Sequence, residues 1–185
     1  MSKHVVKAGS ILIAEPFMVG NPFQRSVIAV CEHRPDGTVG FILNKSIDMS
    51  IEALVADFPE FDAPVFYGGP VDTDTIHYIH NLGDLLDNSN EVSRGVYWGG
   101  DFEKLKFLIT SGLVKKDNIK FFIGYSGWSG GQLQSELDEG TWIVDDLYAN
   151  YAFKDEESSL WSTVLNNKGD KYAVIAQMPE SPSQN

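Results

Sequence analysis

A chain of 185 residues is long enough to form one domain with a substantial core, and 43% hydrophobic and 22% charged residues are typical of a globular protein. Its 26 acidic and 14 basic residues give a formal net charge of −12, which argues against direct nucleic-acid binding because that binding neutralises phosphates with Lys and Arg. Cys31 is the only cysteine, so the chain can form neither an internal disulfide nor a cysteine zinc cluster. It lies in an apolar run.

The first half of the chain alternates short apolar runs with turn signals. The sequence Pro35-Asp36-Gly37 predicts a hairpin between two strands, the second of which ends near Leu43. An apolar stripe at helical spacing predicts a helix over residues 51–58. An early apolar run is interrupted by Glu15 and Pro16, so we predict neither a signal peptide nor a membrane helix, and we expect a cytoplasmic protein. Strands are predicted over residues 10–15, 26–31, 38–43, 64–67, 75–80 and 96–98.

The second half adds helices between further strands. Asp101 is predicted to cap a helix that Gly112 ends, and Asp155 to cap another that carries Leu160. The polar residues 84–90 indicate a surface loop. Buried strands are predicted over residues 121–123, 141–144 and 172–176, and a loose tail over 179–185. Strands in hairpin-like clusters with helices between them favour an α+β fold, and we expect one domain over residues 1–185.

Residues 121–137 are predicted to form a buried strand, a glycine-dense turn and the start of a helix. The first amides of a helix have no partner within it, so the N–H groups of Gly130 and Gly131 could bind an anion or a carbonyl oxygen. The alternative is that this turn is a packing corner only. It meets neither the P-loop nor the Gly-x-Gly-x-x-Gly spacing, and we therefore predict no nucleotide and no cofactor.

Ser129 lies in a Gly-x-Ser-x-Gly pattern that resembles a nucleophile elbow. A hydrolase of that fold needs a histidine later in the chain, but His80 is the last of the four histidines. A capping box, with Ser129 at the N-cap and Gln132 at N3, explains the same residues. We therefore predict no catalytic residue.

Asp72, Asp74, His77 and His80 lie close together in the sequence, as metal ligands often do. On a strand, however, side chains three positions apart point to opposite faces, so the two histidines should not chelate one ion. We predict no metal. The only candidate basic patch is predicted to be a solvated surface, and it consists of Lys104, Lys106, Lys115, Lys116 and Lys120.

Four ordered motifs of this chain resemble those of the YqgE/AlgH family, and the resemblance spans essentially the whole sequence. One motif surrounds the central glycines, at residues 124–133, and the others lie at residues 21–27, 40–45 and 65–71. The resemblance implies an α+β fold in which a bifurcated, largely antiparallel β-sheet is bent into a pseudo-barrel with surrounding helices. It also implies a bacterial cytosolic protein that carries the label of transcriptional regulator without an established activity.

The chain departs from the family pattern at two places. Gln134 stands where the family commonly has Glu, and Lys45-Ser46 stands where Arg-Pro is usual. If the family uses a carboxylate beside the glycine turn, Glu136 is the residue left to supply it here.

The leading hypothesis is a non-enzymatic protein that binds a small ligand or a protein partner and acts on transcription indirectly. An aromatic anchor, Trp128, would serve such a surface, although a tryptophan buried in the core is the alternative. Arg25 and Asn44 are expected at the same end of the sheet as the glycine turn, unless Asn44 only satisfies backbone groups and Arg25 pairs with a carboxylate. The second hypothesis is a small hydrolase or transferase that uses the turn amides as an oxyanion site. The predicted binding residues are Arg25, Asn44, Tyr125, Gly127, Trp128, Gly130, Gly131 and Gln132.

Overall fold

The computed structural model describes residues 5–154 and 156–180, and within them the chain forms one large sheet with helices around it. The strands are β1 (Ser10–Ala14), β2 (Val27–Arg34), β3 (Gly37–Ile42), β4 (Ser46–Ser50), β5 (Pro64–Tyr67), β6 (Val71–His80), β7 (Asn90–Ser93), β8 (Val96–Trp98), β9 (Ile119–Ser129) and β10 (Trp142–Asp146). The α-helices are α1 (Ile51–Leu54), α2 (Phe102–Thr110), α3 (Gln132–Asp138), α4 (Ala149–Phe153), α5 (Leu160–Lys168) and α6 (Lys171–Ala176). Short 3-10 helices cover Gly83–Leu85, Lys116–Asn118 and Glu157–Ser159.

The sheet follows the order β10-β1-β2-β3-β9-β6-β8-β7, with β5 attached to β9 and β4 attached to β5. Its neighbours are antiparallel apart from β5 and β9, which run parallel. The sheet is curled into a half-barrel, and the helices complete an α+β fold. The predicted fold class is therefore confirmed, as is the hairpin of β2 and β3 across Pro35 and Asp36.

The sheet divides in two along one edge of β9. The C-terminal part of β9 pairs with β3, from Ser126 opposite Gly40 to Ser129 opposite Gly37. The N-terminal part pairs with β5 instead, with Phe121 opposite Val65. On its other edge β9 pairs with β6. The central strand therefore has three partners, and this fork is what makes the sheet bifurcated.

Gly68 directly follows β5 at the fork, and it bonds both the central strand β9 and the β3 branch. Its N–H donates to the Ile123 carbonyl at 2.8 Å, and its own carbonyl accepts the Ile42 N–H at 3.0 Å. The buried Ser126 hydroxyl donates to the same carbonyl at 3.0 Å. A Cβ on Gly68 would lie 2.4 Å from the Gly124 carbonyl oxygen, so only glycine fits between the branches.

The predicted glycine turn begins later than expected. Strand β9 continues through Gly124 and Gly127 to Ser129, and only Gly130 and Gly131 remain for the turn into α3. Gly124 has a left-handed backbone (φ +67°) where the pairing of β9 with β6 is irregular. This glycine therefore serves a β-bulge, which sequence spacing does not distinguish from a turn.

The predicted last strand, residues 172–176, is wrong, because this segment forms α6. Tyr172 and Ile175 pack against the largest hydrophobic cluster, and Ala176 is buried in it. These positions are separated by three and one residues, which places their side chains on one face of a helix and not on one face of a strand. Packing against this cluster thus decides the conformation of a short apolar run that either structure could accommodate.

Other differences concern short elements. Strands β4 and β7 and helix α4 were not predicted, and the expected loop over residues 84–90 contains the end of a 3-10 helix and the start of β7. Asp155, the predicted cap, and residues 181–185 of the predicted tail lie outside the described residues. The single-domain expectation over residues 1–185 stays a prediction.

Replacing Gly68 with Ala should destabilise the protein by about 3 kcal/mol, because the new Cβ forces the two branches of the sheet apart. Urea unfolding followed by circular dichroism measures this. The matched control is Gly20→Ala, where a Cβ meets nothing within 4 Å and only the left-handed backbone opposes the change, at about 1 kcal/mol. Equal losses for the two variants would contradict the proposed role of Gly68.

Candidate functional site

The predicted site residues at the end of β9 lie beside the β2–β3 hairpin. Strands β2, β3 and β9 run side by side there, so that residues on all three strands form rows across the sheet. Side chains in alternate rows share a face. Three rows are relevant: Glu32–Val39–Gly127, His33–Thr38–Trp128 and Arg34–Gly37–Ser129.

One face of these rows carries an open hollow with a volume of about 420 Å³. The hollow exists because Gly37 and Gly127, on neighbouring strands, present no side chain to it. Val39, Arg34 and Tyr125 are among the residues that line it. We call this cavity the Tyr125 hollow.

The Tyr125 hollow combines an aromatic ring with a charged pair. Arg34 donates to Glu32 at 2.9 Å, and its side chain is 68% exposed, so the guanidinium keeps free donors for another group. The half-buried Tyr125 ring meets the His77 ring at a centroid distance of 5.8 Å. Burial lowers the pKa of His77, and the negative charge of Asp72 opposes that shift only in part. The His77 ring behind Tyr125 is therefore uncharged near neutral pH.

Trp128 is a core residue and not an exposed anchor. It is 6% exposed, and its indole packs edge-on against Trp142 at 6.1 Å between ring centroids. Both indole N–H groups donate to the same carboxylate oxygen of Glu136, at 3.1 Å from Trp128 and 3.0 Å from Trp142. The Gln132 amide donates to the other oxygen at 3.1 Å. The remaining carboxylate beside the glycine turn is thus engaged in holding two tryptophans together.

The predicted capping box does not form as expected. Gly131, with φ +81°, is the N-cap of α3, and Gln132 is its first helical residue. Ser129 still belongs to β9, because its pairing with Gly37 holds it extended. Only half of the reciprocal arrangement remains: the Gln132 side-chain oxygen accepts the Ser129 N–H at 3.0 Å and its hydroxyl at 3.3 Å. An amide oxygen is not a general base, so this contact does not activate Ser129 as a nucleophile.

Arg25 and Asn44 lie at the other end of β2 from the glycine turn, which corrects the expectation of a shared pocket. They contact the start of β2 at Val27, and the strand from Val27 to His33, roughly 20 Å, separates that point from the row that contains Trp128. Asn44 satisfies backbone groups, as its alternative interpretation predicted: it donates to the Arg25 carbonyl and accepts the Val27 N–H, both at 2.9 Å.

Arg25 holds the C-terminal segment of the described chain. Its guanidinium donates to the Met178 carbonyl at 2.7 Å and lies 4.3 Å from the centroid of the Trp161 ring. A carbonyl and an aromatic face therefore take the place of the carboxylate that the sequence suggested. The contact links residues that are 153 positions apart, and no sequence signal identifies such a pair.

The two histidines of β6 contact different residues, as the alternation of a strand predicts. His77 meets Phe41 and Tyr125, whereas the fully buried His80 stacks on Tyr97. His80 Nε2 donates to the Gly99 carbonyl at 2.8 Å, and its Nδ1 accepts the Leu82 N–H at 3.2 Å. Burial lowers its pKa and keeps the ring neutral. Within residues 5–154 and 156–180, no three His, Cys, Asp or Glu side chains are grouped as metal ligands.

Lys120 belongs to the core edge and not to a solvated basic patch. Its Nζ donates to the Leu43 carbonyl at 3.0 Å and lies 4.2 Å from the centroid of the Phe66 ring. Burial lowers its pKa to about 8, although the negative charge of Glu157 raises it in part. Lys120 shares a strand face with Phe122, two residues further on, and this position was the sequence signal that could have shown it to be half-buried.

The geometry defines an α+β protein with a forked half-barrel sheet and an open hollow beside its central strand. A family model described as AlgH-like matches residues 11–173, and the chain belongs to this family. A relative named UPF0301 protein from Chlorobaculum parvum is 41% identical over 181 residues, which are 98% of this chain and 97% of that protein. Another of the same name from Chlorobium luteolum is 43% identical over 178 residues, or 96% of this chain and 94% of that protein.

Two solved structures share the fold at low sequence identity. The solution structure of the AlgH protein from Pseudomonas aeruginosa has a TM-score of 0.74 and 21% identity, with 97% of this chain and 98% of that chain covered. A crystal structure of a protein from Corynebacterium diphtheriae has a TM-score of 0.79 and 21% identity, with coverages of 96% and 95%. These relatives carry no established activity that defines the site. Among the described residues, no helix is long and apolar enough to cross a membrane.

Replacing Glu136 with Leu should lower the free energy of unfolding by about 2–4 kcal/mol, because two buried indole N–H groups lose their acceptor. Glu136→Gln keeps a side-chain oxygen at the same position and should cost about 1 kcal/mol. Urea unfolding monitored by tryptophan fluorescence distinguishes the two variants. If Leu is tolerated as well as Gln, the carboxylate does not hold the indoles.

Lys120 should make the protein more stable as the pH rises from 8 to 10. The folded chain releases this proton near pH 8 and the unfolded chain near its ordinary pKa of 10.5, so the unfolded state binds more protons between these values. The free energy of unfolding of the wild type should therefore rise by about 2 kcal/mol relative to Lys120→Met across this range. A difference between the two proteins that does not change with pH would contradict a lowered pKa.

Proposed function

We propose that this chain is a non-enzymatic binding protein that holds a small ligand or a segment of a protein partner in the Tyr125 hollow. The observation that carries the proposal is the open cavity of about 420 Å³ beside the central strand. The cavity is lined by the Tyr125 ring, the Arg34 guanidinium and the exposed main chain of Gly127. Pockets that combine apolar surface with a few polar groups favour specific binding.

The predicted binding residues divide into two groups under this proposal. Tyr125 and Gly127 contact the ligand or partner, whereas Gly130, Gly131 and Gln132 form the adjoining turn into α3, outside the lining of the hollow. The contacts of Arg25, Asn44 and Trp128 support structural roles instead, because each already has partners within the chain. Those partners are the Met178 carbonyl, backbone groups at the start of β2, and the Glu136 carboxylate.

We further propose that a role in transcription is indirect and takes place in the cytoplasm. The net charge of −12 repels nucleic acid, so a protein contact is the better-supported route. With a single buried cysteine the chain does not depend on disulfides for its stability, as is usual for proteins of a reducing compartment.

The alternative of a small hydrolase or transferase has less support. Its nucleophile would be Ser129, whose hydroxyl contacts an amide oxygen, and its oxyanion site would use the first amides of α3. This helix has only 7 residues, and its dipole is correspondingly weak. The binding function is therefore preferred.

A photo-crosslinking amino acid at position 125 tests the proposal. With p-benzoylphenylalanine in place of Tyr125, irradiation of intact bacterial cells should attach a ligand or partner of discrete mass, identified by mass spectrometry. The control is the same residue at Tyr148, which is 55% exposed. Adduct formation at position 125 should exceed that at position 148 by about tenfold.

A second variant separates occupancy of the hollow from chemical reactivity. Gly127→Val adds a side chain inside the hollow, where a Cβ lies 3.2 Å from the Tyr125 ring, and should remove the adduct while the melting temperature shows that the fold persists. Adducts of similar yield at both positions, or an adduct that is insensitive to Gly127→Val, would overturn the proposal.

A further inference from the structure

Strand β10 ends the sheet on one side, and part of its main chain points away from its neighbour. Its only partner in the described sheet is β1. Thr141 accepts a hydrogen bond from the residue after β1 at 3.1 Å, and Leu147 donates to the residue before β1 at 2.8 Å. Antiparallel bonding alternates along a strand, so the N–H and C=O groups of Trp142 and Val144 point to the opposite side.

A long groove follows this free edge. It has a volume of about 1050 Å³ and is lined, among others, by Trp142, Ile143 and Val144. Successive side chains of a strand point to opposite faces, so a cavity that contacts all three has to run along the edge of β10. We call it the β10 groove.

The two walls of the β10 groove differ in chemistry. On one side α3 contributes Leu133 and Leu137, which belong to the same hydrophobic cluster as Trp142. On the other side lie Lys168 of α5 and Tyr172 of α6. The α3 wall also carries the polar Gln134 and, at the end of the helix, the carboxylate of Asp138. An occupant therefore meets two leucines and one carboxylate on one side and the ammonium group of Lys168 on the other.

Lys168 has room for a closer carboxylate. Its Nζ lies 3.8 Å from the Asp145 carboxylate, beyond hydrogen-bond distance, and 5.0 Å from the centroid of the Tyr172 ring. Its side chain is 19% exposed, so a hydrogen-bonded acidic group would replace little water there. Charge complementarity at this wall favours an acidic side chain in the occupant.

We propose that the β10 groove binds an extended, acidic peptide segment of a protein partner, which adds to the sheet as a further strand. Main-chain bonds to Trp142 and Val144 would hold the segment, its apolar side chains would face α3, and a carboxylate would pair with Lys168. Strand addition of this kind is an established mode of peptide recognition. A second copy of the chain fits less well, since two edges that are each recessed between helices cannot meet. The inference does not rest on the Tyr125 hollow, whose lining shares Arg34 and Thr38 with the β10 groove.

Selection from a phage-displayed random peptide library on the full chain, followed by amide exchange measured by NMR, tests the proposal. At saturation with an enriched synthetic peptide, exchange of the Trp142 and Val144 amides should slow by about tenfold or more. The amides of Ile143 and Asp145 already face β1 and should not change, which makes them the internal control.

Two pairs of proteins and peptides test the predicted contacts. Val144→Pro removes one outward N–H without removing a bond to β1 and should weaken peptide binding by about tenfold or more, whereas Val144→Thr keeps the N–H and the affinity. Lys168→Met should weaken binding of the acidic peptide but not of its Glu→Gln version. Gly127→Val should leave peptide affinity unchanged, so failure here is distinct from failure at the Tyr125 hollow.

Three results would overturn the proposal. The first is enriched peptides that bind Val144→Pro as tightly as wild type and leave the exchange of both amides unchanged. The second is the absence of any enriched peptide. The third is slow exchange of the Trp142 and Val144 amides in a dimer without peptide, because a second copy would then cover the edge.

Discussion

The close approach of two main chains at Gly68 is the constraint on which the rest of the structure depends. Where β3 and β5 leave the same edge of β9, the main chain of Gly68, directly after β5, bonds both β9 and β3, and it can do so only because no Cβ intervenes. The fork gives β9 three neighbours, and these neighbours share the hydrophobic clusters of the core. Phe66 of β5 and Ile79 of β6 belong to one cluster, and Val65 and Tyr78 of the same two strands belong to another. The β2–β3 hairpin is joined to β9 beyond this junction, through the pairing of β3 with the C-terminal part of β9. The Tyr125 hollow lies on that hairpin.

The end of β9 is held in place by side-chain hydrogen bonds. A single carboxylate, Glu136, collects two indole N–H groups and a glutamine amide, and so joins β9, α3 and β10 through side chains alone. The Tyr125 hollow and the β10 groove both adjoin the elements that these hydrogen bonds connect. A pre-organised surface loses little conformational entropy on binding, which is consistent with a recognition role that requires no conformational change.

Local patterns predicted much of this fold, and long-range contacts account for what they missed. Turn chemistry at Pro35-Asp36-Gly37 and the alternation of β6 correctly indicated the hairpin and the separate environments of His77 and His80, because both depend on neighbours in sequence. The residues 172–176 became a helix because the core they meet lies far away in the sequence. Arg25 was expected to pair with a carboxylate, but its partner, the Met178 carbonyl, also lies far away in the sequence. Gly124 was assigned to a turn because bulges and turns can require the same backbone angles.

The bond from Arg25 to Met178, together with the position of β1 between β2 and β10, has a consequence for biosynthesis. The first strand receives one neighbour early, but its other neighbour is completed only when residue 146 has been made. The Trp161 indole then donates to the Ala14 carbonyl at 2.9 Å, and Met178 reaches the start of β2 later still. A nascent chain on the ribosome therefore carries an incomplete sheet for most of its synthesis. Such high contact order slows folding and makes the last segment of the described chain the one that closes the structure.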